Sequence, residues 1–408
     1  MLRPTPLIAL TFLSAFAAST ASAHSGEALA EAITLIDDAV LVKTNFGVVA
    51  SHFDGFVCEE AFLGGEIFHV AALGKDQWVT LSENGIWTTD DGCEFTKVAE
   101  LTVAPTDVAT ELTTKSVAYA LNSMESGGIW LSQDQGQSWT RVLENDSYQW
   151  TGVRFAPAGR LVATAYDRDN MGAAHLVTYD VTSQVSNDAP IAEVTYPYLL
   201  DALDDDILWL GRTDTQTAFW GTIDQPKLRP KMITSWPTAA RILSPTKVVL
   251  AGLFQQRGLS EGTLTGDEVV WNDLAPITTA VCVTPDGDSY LVCSQARFDM
   301  ADVIRVTGPD LAPEFDFKQL EGPRACPAGS SVAEVCPVVW RELQRSLGLV
   351  PTEEPMPDAG MPDADMTPDD VGVVTPPSAN DPDGCSAVGT SPALLSLLGI
   401  LWMRRKRT

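Results

Sequence analysis

Basic residues are scarce in this chain. Its 408 residues carry 54 Asp and Glu but only 26 Lys and Arg, a formal charge of −28. The deficit deepens in the middle, where 24–350 holds 45 acids and 21 bases, a charge of −24. Such a surface repels phosphate backbones, so nucleic acid is excluded as a natural partner and solubility in an exposed setting is the simpler reading. No Cys-x-x-Cys occurs, and the four histidines, His24, His52, His69 and His175, are scattered, which argues against a bound metal. Asp204-Asp205-Asp206 and the acids at 286–288 lack EF-hand spacing and read as solvated loops. No cofactor motif is present. Long helical periodicity is also missing, as is any apolar run long enough to cross a bilayer with ease.

Seven cysteines are present, and they divide as six plus one. Cys58, Cys93, Cys282, Cys293, Cys326 and Cys336 lie in the body, and Cys385 lies near the end. The N-terminus explains how the six become disulfides. Arg3, an apolar stretch from Pro6 to Ala18 and the small-x-small site Ala21-Ser22-Ala23 form an export signal over 1–23, with no lipobox cysteine behind it. Cys282 and Cys293 flank Pro285-Asp286-Gly287-Asp288, a hairpin sequence that sets the two thiols face to face. Cys326 and Cys336 close a short Gly/Ser-rich loop, which leaves Cys58 for Cys93.

Between 31 and 323 the chain repeats itself every 40–45 residues or so. One unit holds Val117-Ala118-Tyr119-Ala120-Leu121, then Gly128-Ile129-Trp130-Leu131-Ser132, a tight turn, and a strand from Trp139. The unit before it holds Trp78-Val79-Thr80-Leu81, Gly85-Ile86-Trp87-Thr88, a turn, and Phe95-Thr96-Lys97-Val98. Later runs such as Ile207-Leu208-Trp209-Leu210 and Lys247-Val248-Val249-Leu250-Ala251 are strand-sized and β-branched. The expected fold is all-β, a β-propeller of seven four-stranded antiparallel blades near 31–66, 67–103, 104–145, 146–191, 192–234, 235–275 and 276–323, with six or eight blades also open. A pair of β-sandwiches is the structural alternative. A capping segment, 324–350, would end in a short helix from Val338 to Leu347, with Val339, Leu343 and Leu347 on one face. Residues 351–384 hold eight prolines and nine acids without a base, a disordered stalk.

Two turns carry a shared pattern, Ser/Thr-x-Asp-x-Gly-x-x-aromatic. Ser132, Asp134, Gly136 and Trp139 form one copy, and Thr88, Asp90, Gly92 and Phe95 form the other, 44 residues earlier. Ser51 to Cys58 is a degenerate relative. These turns resemble the Asp boxes of sialidase-type and related propellers. Their aspartate is a turn residue, accepting from turn amides while Gly takes positive φ and the aromatic ring packs on the blade. Sialidases themselves open with an Arg-Ile-Pro-like motif and gather arginines on a substrate carboxylate. Here 31–66 contains no arginine, and no Arg-Ile-Pro occurs anywhere, so no catalytic residue is assigned. Asp boxes also mark propellers that bind rather than cut.

Phe46-Gly47, Val57-Cys58-Glu59-Glu60-Ala61, Gly85-Ile86-Trp87 and Asp91-Gly92-Cys93-Glu94-Phe95 resemble the opening blades of uncharacterised exported propellers of myxobacteria. The end of the chain fits the same source. Gly384-Cys385-Ser386, the 17-residue apolar run Ala387–Met403 and Arg404-Arg405-Lys406-Arg407 resemble a MYXO-CTERM sorting signal over 385–408. That resemblance implies an envelope protease acting near Cys385, modification of that cysteine, and display at the outer surface of a Gram-negative cell. A plain membrane tail anchor is the competing reading, with the basic end on the cytoplasmic side. The expected function is a surface-displayed scaffold that binds a protein or glycan ligand. The alternatives are a divergent glycoside hydrolase, which needs a pair of carboxylates in a central cleft, and a structural envelope component.

Overall fold

A computed structural model describes residues 28–52, 55–62, 66–170, 172–213, 216–224, 237–252, 258–266 and 268–350. The export signal, the stalk 351–384, Cys385 and the terminal apolar run lie outside the described residues. Within them, no helix is long and apolar enough to cross a membrane.

The strand-sized runs fold as antiparallel meanders. The first sheet is β1 (Ala30–Ile36), β2 (Ala39–Thr44), β3 (Gly47–Ala50) and β4 (Phe56–Cys58). The second is β5 (Ile67–Ala72), β6 (Trp78–Ser82), β7 (Gly85–Thr89) and β8 (Thr96–Ala99); the third is β9 (Pro105–Glu111), β10 (Ser116–Leu121), β11 (Gly128–Ser132) and β12 (Thr140–Leu143). A six-stranded sheet follows, of β13 (Tyr148–Ala156), β14 (Arg160–Asp167), β15 (Ala173–Asp180), β16 (Val185–Leu203), β17 (Asp206–Arg212) and β18 (Gln216–Thr222). Then come β19 (Pro237–Ser244), β20 (Lys247–Gly252), β21 (Leu259–Thr265) and β22 (Glu268–Ala275), and finally β23 (Cys282–Asp286), β24 (Ser289–Cys293), β25 (Val303–Thr307) and β26 (Asp310–Phe315).

The protein is an all-β propeller, but the described residues hold five four-stranded blades, not seven. The two blades expected at 146–191 and 192–234 are one sheet, because β16 runs unbroken for 19 residues. Its first half pairs with β15 and its second half with β17. Between the two halves Tyr196 takes a φ of 53°.

Burial explains why the sheets assemble face to face. Trp150 on β13 packs with Ala118 and Ile129 of the preceding sheet, and Trp220 packs with Ala240 and Leu250 of the following one. Both tryptophans are fully buried, as are Trp78 and Trp209, so these rings are core residues. The first strands follow one another around an axis: β5 beside β9, β9 beside β13, β13 beside β16, β16 beside β19, β19 beside β23, and β23 beside β1. Among the described residues every sheet is built from consecutive strands, and β1 pairs within the first sheet rather than completing the last.

Closure therefore falls to the segment after β26. Gly322 O accepts from Phe56 N at 3.1 Å, and Arg324 N donates to Phe56 O at 2.8 Å, so this strap pairs in parallel with β4. The approach is close enough that a Cβ on Gly55 would stand 2.5 Å from Gly322 O, and only glycine fits there. The strap leads into α1 (Ser331–Ser346), which packs on β4 and the 3-10 turn at Glu59–Phe62. The helix starts seven residues earlier than expected and runs through Pro337, with Ser330 accepting from Ala333 N as its cap. It covers the outer edge of the first sheet rather than one end of the ring, a placement that blunts an exposed edge.

The disulfides complete the clasp, and they correct two expected pairs. Cys58 joins Cys336 and Cys93 joins Cys326, across 278 and 233 residues, while Cys282 joins Cys293 across its hairpin. The expected Cys58–Cys93 and Cys326–Cys336 bridges do not form. Cys336 sits inside α1 and Cys326 in the strap, so each meets the sheet beneath it: Cys58 ends β4, and Cys93 lies in the turn after β7. Three disulfides in the body belong to an oxidising compartment.

Candidate functional site at the axis

The first strands are joined to one another by side chains that bond to the next strand's backbone. His69 Nε2 on β5 faces Pro105 O at 3.3 Å, and the Thr106 hydroxyl on β9 donates to Trp150 O at 3.0 Å. Asp107 accepts from Val153 N at 3.0 Å, and Arg154 on β13 donates to Leu200 O at 3.0 Å. Asp201 on β16 accepts from Ile242 N at 2.7 Å; Thr238 on β19 donates to Ala280 O at 2.8 Å. Thr284 on β23 donates to Ile33 O at 2.9 Å, reaching the first sheet. Between the first and second sheets the joints sit on a turn: Lys75 ion-pairs with Asp38, and Asp76 is hydrogen-bonded to His52 Nε2 at 3.2 Å and ion-paired with Arg324 of the strap.

These bonds gather charge around the axis. His69, Arg154, Tyr198, Asp201 and Arg241 are half-buried, and Asp107 is buried. Asp107 ion-pairs with Arg154. Burial pushes the Arg154 guanidinium down, but Asp107, Tyr198 and Asp201 together more than offset it and the group ends above the usual arginine value. Burial likewise lowers His69, so its ring favours the neutral form. A glycosidase would call on Asp107 and Asp201, and both are spent on backbone amides of the next strand. No signal in the repeat pattern singles out these residues, because each occupies an ordinary strand position.

The two patterned turns lie on one rim. In the second, the Ser132 hydroxyl accepts from Gly136 N at 2.8 Å and donates to Asp134, whose carboxylate accepts from Ser138 N at 2.9 Å. Gly136 has a φ of 87°, and Trp139 Nε1 donates to Gly136 O at 3.0 Å. Burial opposes the Asp134 charge, but bonds from Ser138 and Ser132 outweigh it and hold the carboxyl below its usual range.

In the first turn the same roles are shifted by one residue. Thr89, not Thr88, accepts from Gly92 N at 2.8 Å, and Asp91, not Asp90, accepts from Cys93 N and Glu94 N, both at 2.9 Å. Thr88 instead accepts from Gln137 and Asp90 from Gln77, so both tie this turn to its surroundings. Phe95 is buried, 4.3 Å from the Phe62 ring. Asp205 and Asp286 serve as ion-pair partners, of Arg160 and Arg305.

The opposite rim carries the connections 122–127 and 294–302, of six and nine residues. In 294–302, Asp299 accepts from Thr278 N at 2.8 Å, Thr279 N at 3.1 Å and the hydroxyls of Thr279 and Ser294, while Asp302 accepts from Ala296 N and Phe317 N. The loop so anchored exposes Phe298 and Met300, each about half, and Met124 in 122–127 is 79 % exposed.

No family model matches the chain, and no curated protein matches it. Similar solved structures exist. Hydrazine synthase of Kuenenia stuttgartiensis is 12 % identical with a TM-score of 0.50, covering 71 % of this chain and 98 % of that one. The WD40 repeats of RRP9 are 8 % identical with a TM-score of 0.50, covering 67 % and 89 %. At such identities the likeness shows the fold alone, which is the propeller.

Proposed function

We propose that the protein is an exported binding propeller, held at a cell envelope by its C-terminal segment, whose rim carrying 122–127 and 294–302 engages a protein or glycan. The observation that carries this reading is the contrast between the rims. Asp299 and Asp302 anchor 294–302 by six hydrogen bonds, yet the loop displays apolar side chains to solvent. Pre-ordering a loop removes an entropic cost of binding, and exposed aromatic and Met side chains supply contact area. Asp-box-type turns on the other rim fit a scaffold role.

Capture of envelope proteins and glycans by the exported protein tests the reading. Changing Met124, Phe298 and Met300 together to Ser should abolish capture without altering the melting temperature. Equal capture by the variant would refute the rim assignment. For the anchor, Cys385→Ala should release the protein into the medium, and unchanged retention would rule out processing at that cysteine.

A further inference from the structure

The two arginines near the axis are treated differently. Arg154 is saturated: its guanidinium pairs with Asp107 and donates to Val153 O at 2.6 Å and Leu200 O at 3.0 Å. Arg241, on β19, makes one hydrogen bond, to Ala240 O at 2.8 Å, and no ion pair among the described residues. Asp201 exerts the strongest attraction on it, but that carboxylate holds Ile242 N and stays beyond ion-pair distance. Burial lowers the Arg241 guanidinium below the usual arginine value and the neighbouring carboxylates do not restore it, the reverse of Arg154.

Withdrawing a cation from water without a partner is costly, while five N–H donors in a planar fork suit a carboxylate or sulfate. Tyr198, whose hydroxyl stays protonated because burial raises its pKa, lies within electrostatic reach of both arginines and adds a donor. In a body with 45 acids against 21 bases, a cation at the axis without an ion-pair partner among the described residues stands out from its surroundings.

We propose that Arg241 anchors a small oxyanion, a carboxylate or a sulfate group, at the axis. The group is either a free anion or an acidic substituent on a larger glycan. Guanidinium donors bind its oxygens and Tyr198 supplies a further hydroxyl. This inference goes beyond the rim reading and does not depend on it.

The test titrates sodium acetate and sodium sulfate into the full-length protein at constant ionic strength, set with chloride, and follows the thermal midpoint. The midpoint should rise saturably with at least one of them. Arg241→Gln should weaken that response about ten- to a hundred-fold, and Arg305→Gln, at an ion-paired arginine on the turn rim, should keep it. In chloride alone, Arg241→Gln should melt at or above the wild-type temperature, because it removes an uncompensated charge, whereas Arg154→Gln should melt lower. A uronate monomer and its polymer separate the two sources: a response to the monomer marks a free anion, and a response to the polymer alone marks a glycan substituent. Equal anion responses in wild type and Arg241→Gln, or no response at all, would overturn the proposal. So would a chloride melt of Arg241→Gln as low as that of Arg154→Gln, since Arg241 would then be a structural brace. Loss of capture in the Met124, Phe298 and Met300 variant with an intact anion response would strike only the rim reading.

Discussion

On one rim, β1–β2, β16–β17, β19–β20, β23–β24 and β25–β26 are joined by two-residue turns, and the six- and seven-residue turns after β7 and β11 are wired by Thr89, Asp91, Ser132 and Asp134. On the other, short turns at 45–46 and 83–84 stand beside connections of six residues at 122–127 and nine at 294–302. Antiparallel meanders place these two kinds of connection at opposite ends of every sheet. The tight rim spends its polar groups on itself: Asp37 and Asp204 take φ near +50°, and Gln77 reaches Asp90 and accepts from Lys115. The other rim anchors 294–302 from beneath and leaves the apolar tips of Phe298, Met300 and Met124 outside, as expected where a scaffold presents a surface.

The strap offers the hardest test of that division, since it fastens to the tight rim through Cys93 and to the far end of β4 through Cys58. Loops of 278 and 233 residues constrain the unfolded chain most, so losing either bridge should cost roughly 5 kcal/mol, against about 3 kcal/mol for Cys282–Cys293. The two long bridges are nested, so their effects should not add. Denaturant unfolding of Cys336→Ser, Cys326→Ser and Cys293→Ser would check the order; a largest loss at the hairpin bridge would contradict the clasp.

Glu59 is expected to have the next largest effect. Burial raises its carboxyl to about 8, with Lys43 opposing. A carboxyl whose folded-state pKa is raised binds a proton in the native state that the unfolded chain has lost. Stability from this group is therefore full below about 4.5 and declines as pH rises toward 8. Glu59→Gln should remove that decline and gain on the order of 2–4 kcal/mol above pH 8. Parallel pH profiles for the two proteins would defeat the prediction.

Smaller effects should separate the tight rim's own residues. Asp91→Ala and Asp134→Ala each remove a turn cap and should cost about 1–2 kcal/mol, while Asp90→Ala should cost less than either. Asp91 and Asp134 both have lowered pKa values, so their contributions hold above the ordinary aspartate range and disappear as pH falls through the folded-state values. Chemical denaturation at pH 7 and pH 3 reads both effects; a larger loss at Asp90 would restore the other register. Met124→Ser, on the far rim, should change stability least.

The misplaced register has a plain cause. Thr88-Thr89 and Asp90-Asp91 offer two overlapping frames, and only the Gly92-to-Phe95 spacing favours the first. Strand β7 continues to Thr89, which pairs with Trp78, so the turn begins one residue later and Thr89 and Asp91 become the caps. Pro337 misled in a similar way: it reads as a helix boundary, yet α1 runs through it because Ser330 caps the helix earlier.

Alternation of apolar residues and turn signals determined that this chain forms short strands in repeating antiparallel units, and a local hairpin determined that Cys282 meets Cys293. Those are short-range matters, fixed by backbone sterics and side-chain period. Closure of the ring decided the rest. The partners of Cys58 and Cys93, the union of two expected blades through β16, and the gathering of Asp107, Arg154, Asp201 and Arg241 all join residues distant along the chain. Their proximity depends on which sheet faces which once the first and last sheets meet, and no local pattern encodes that.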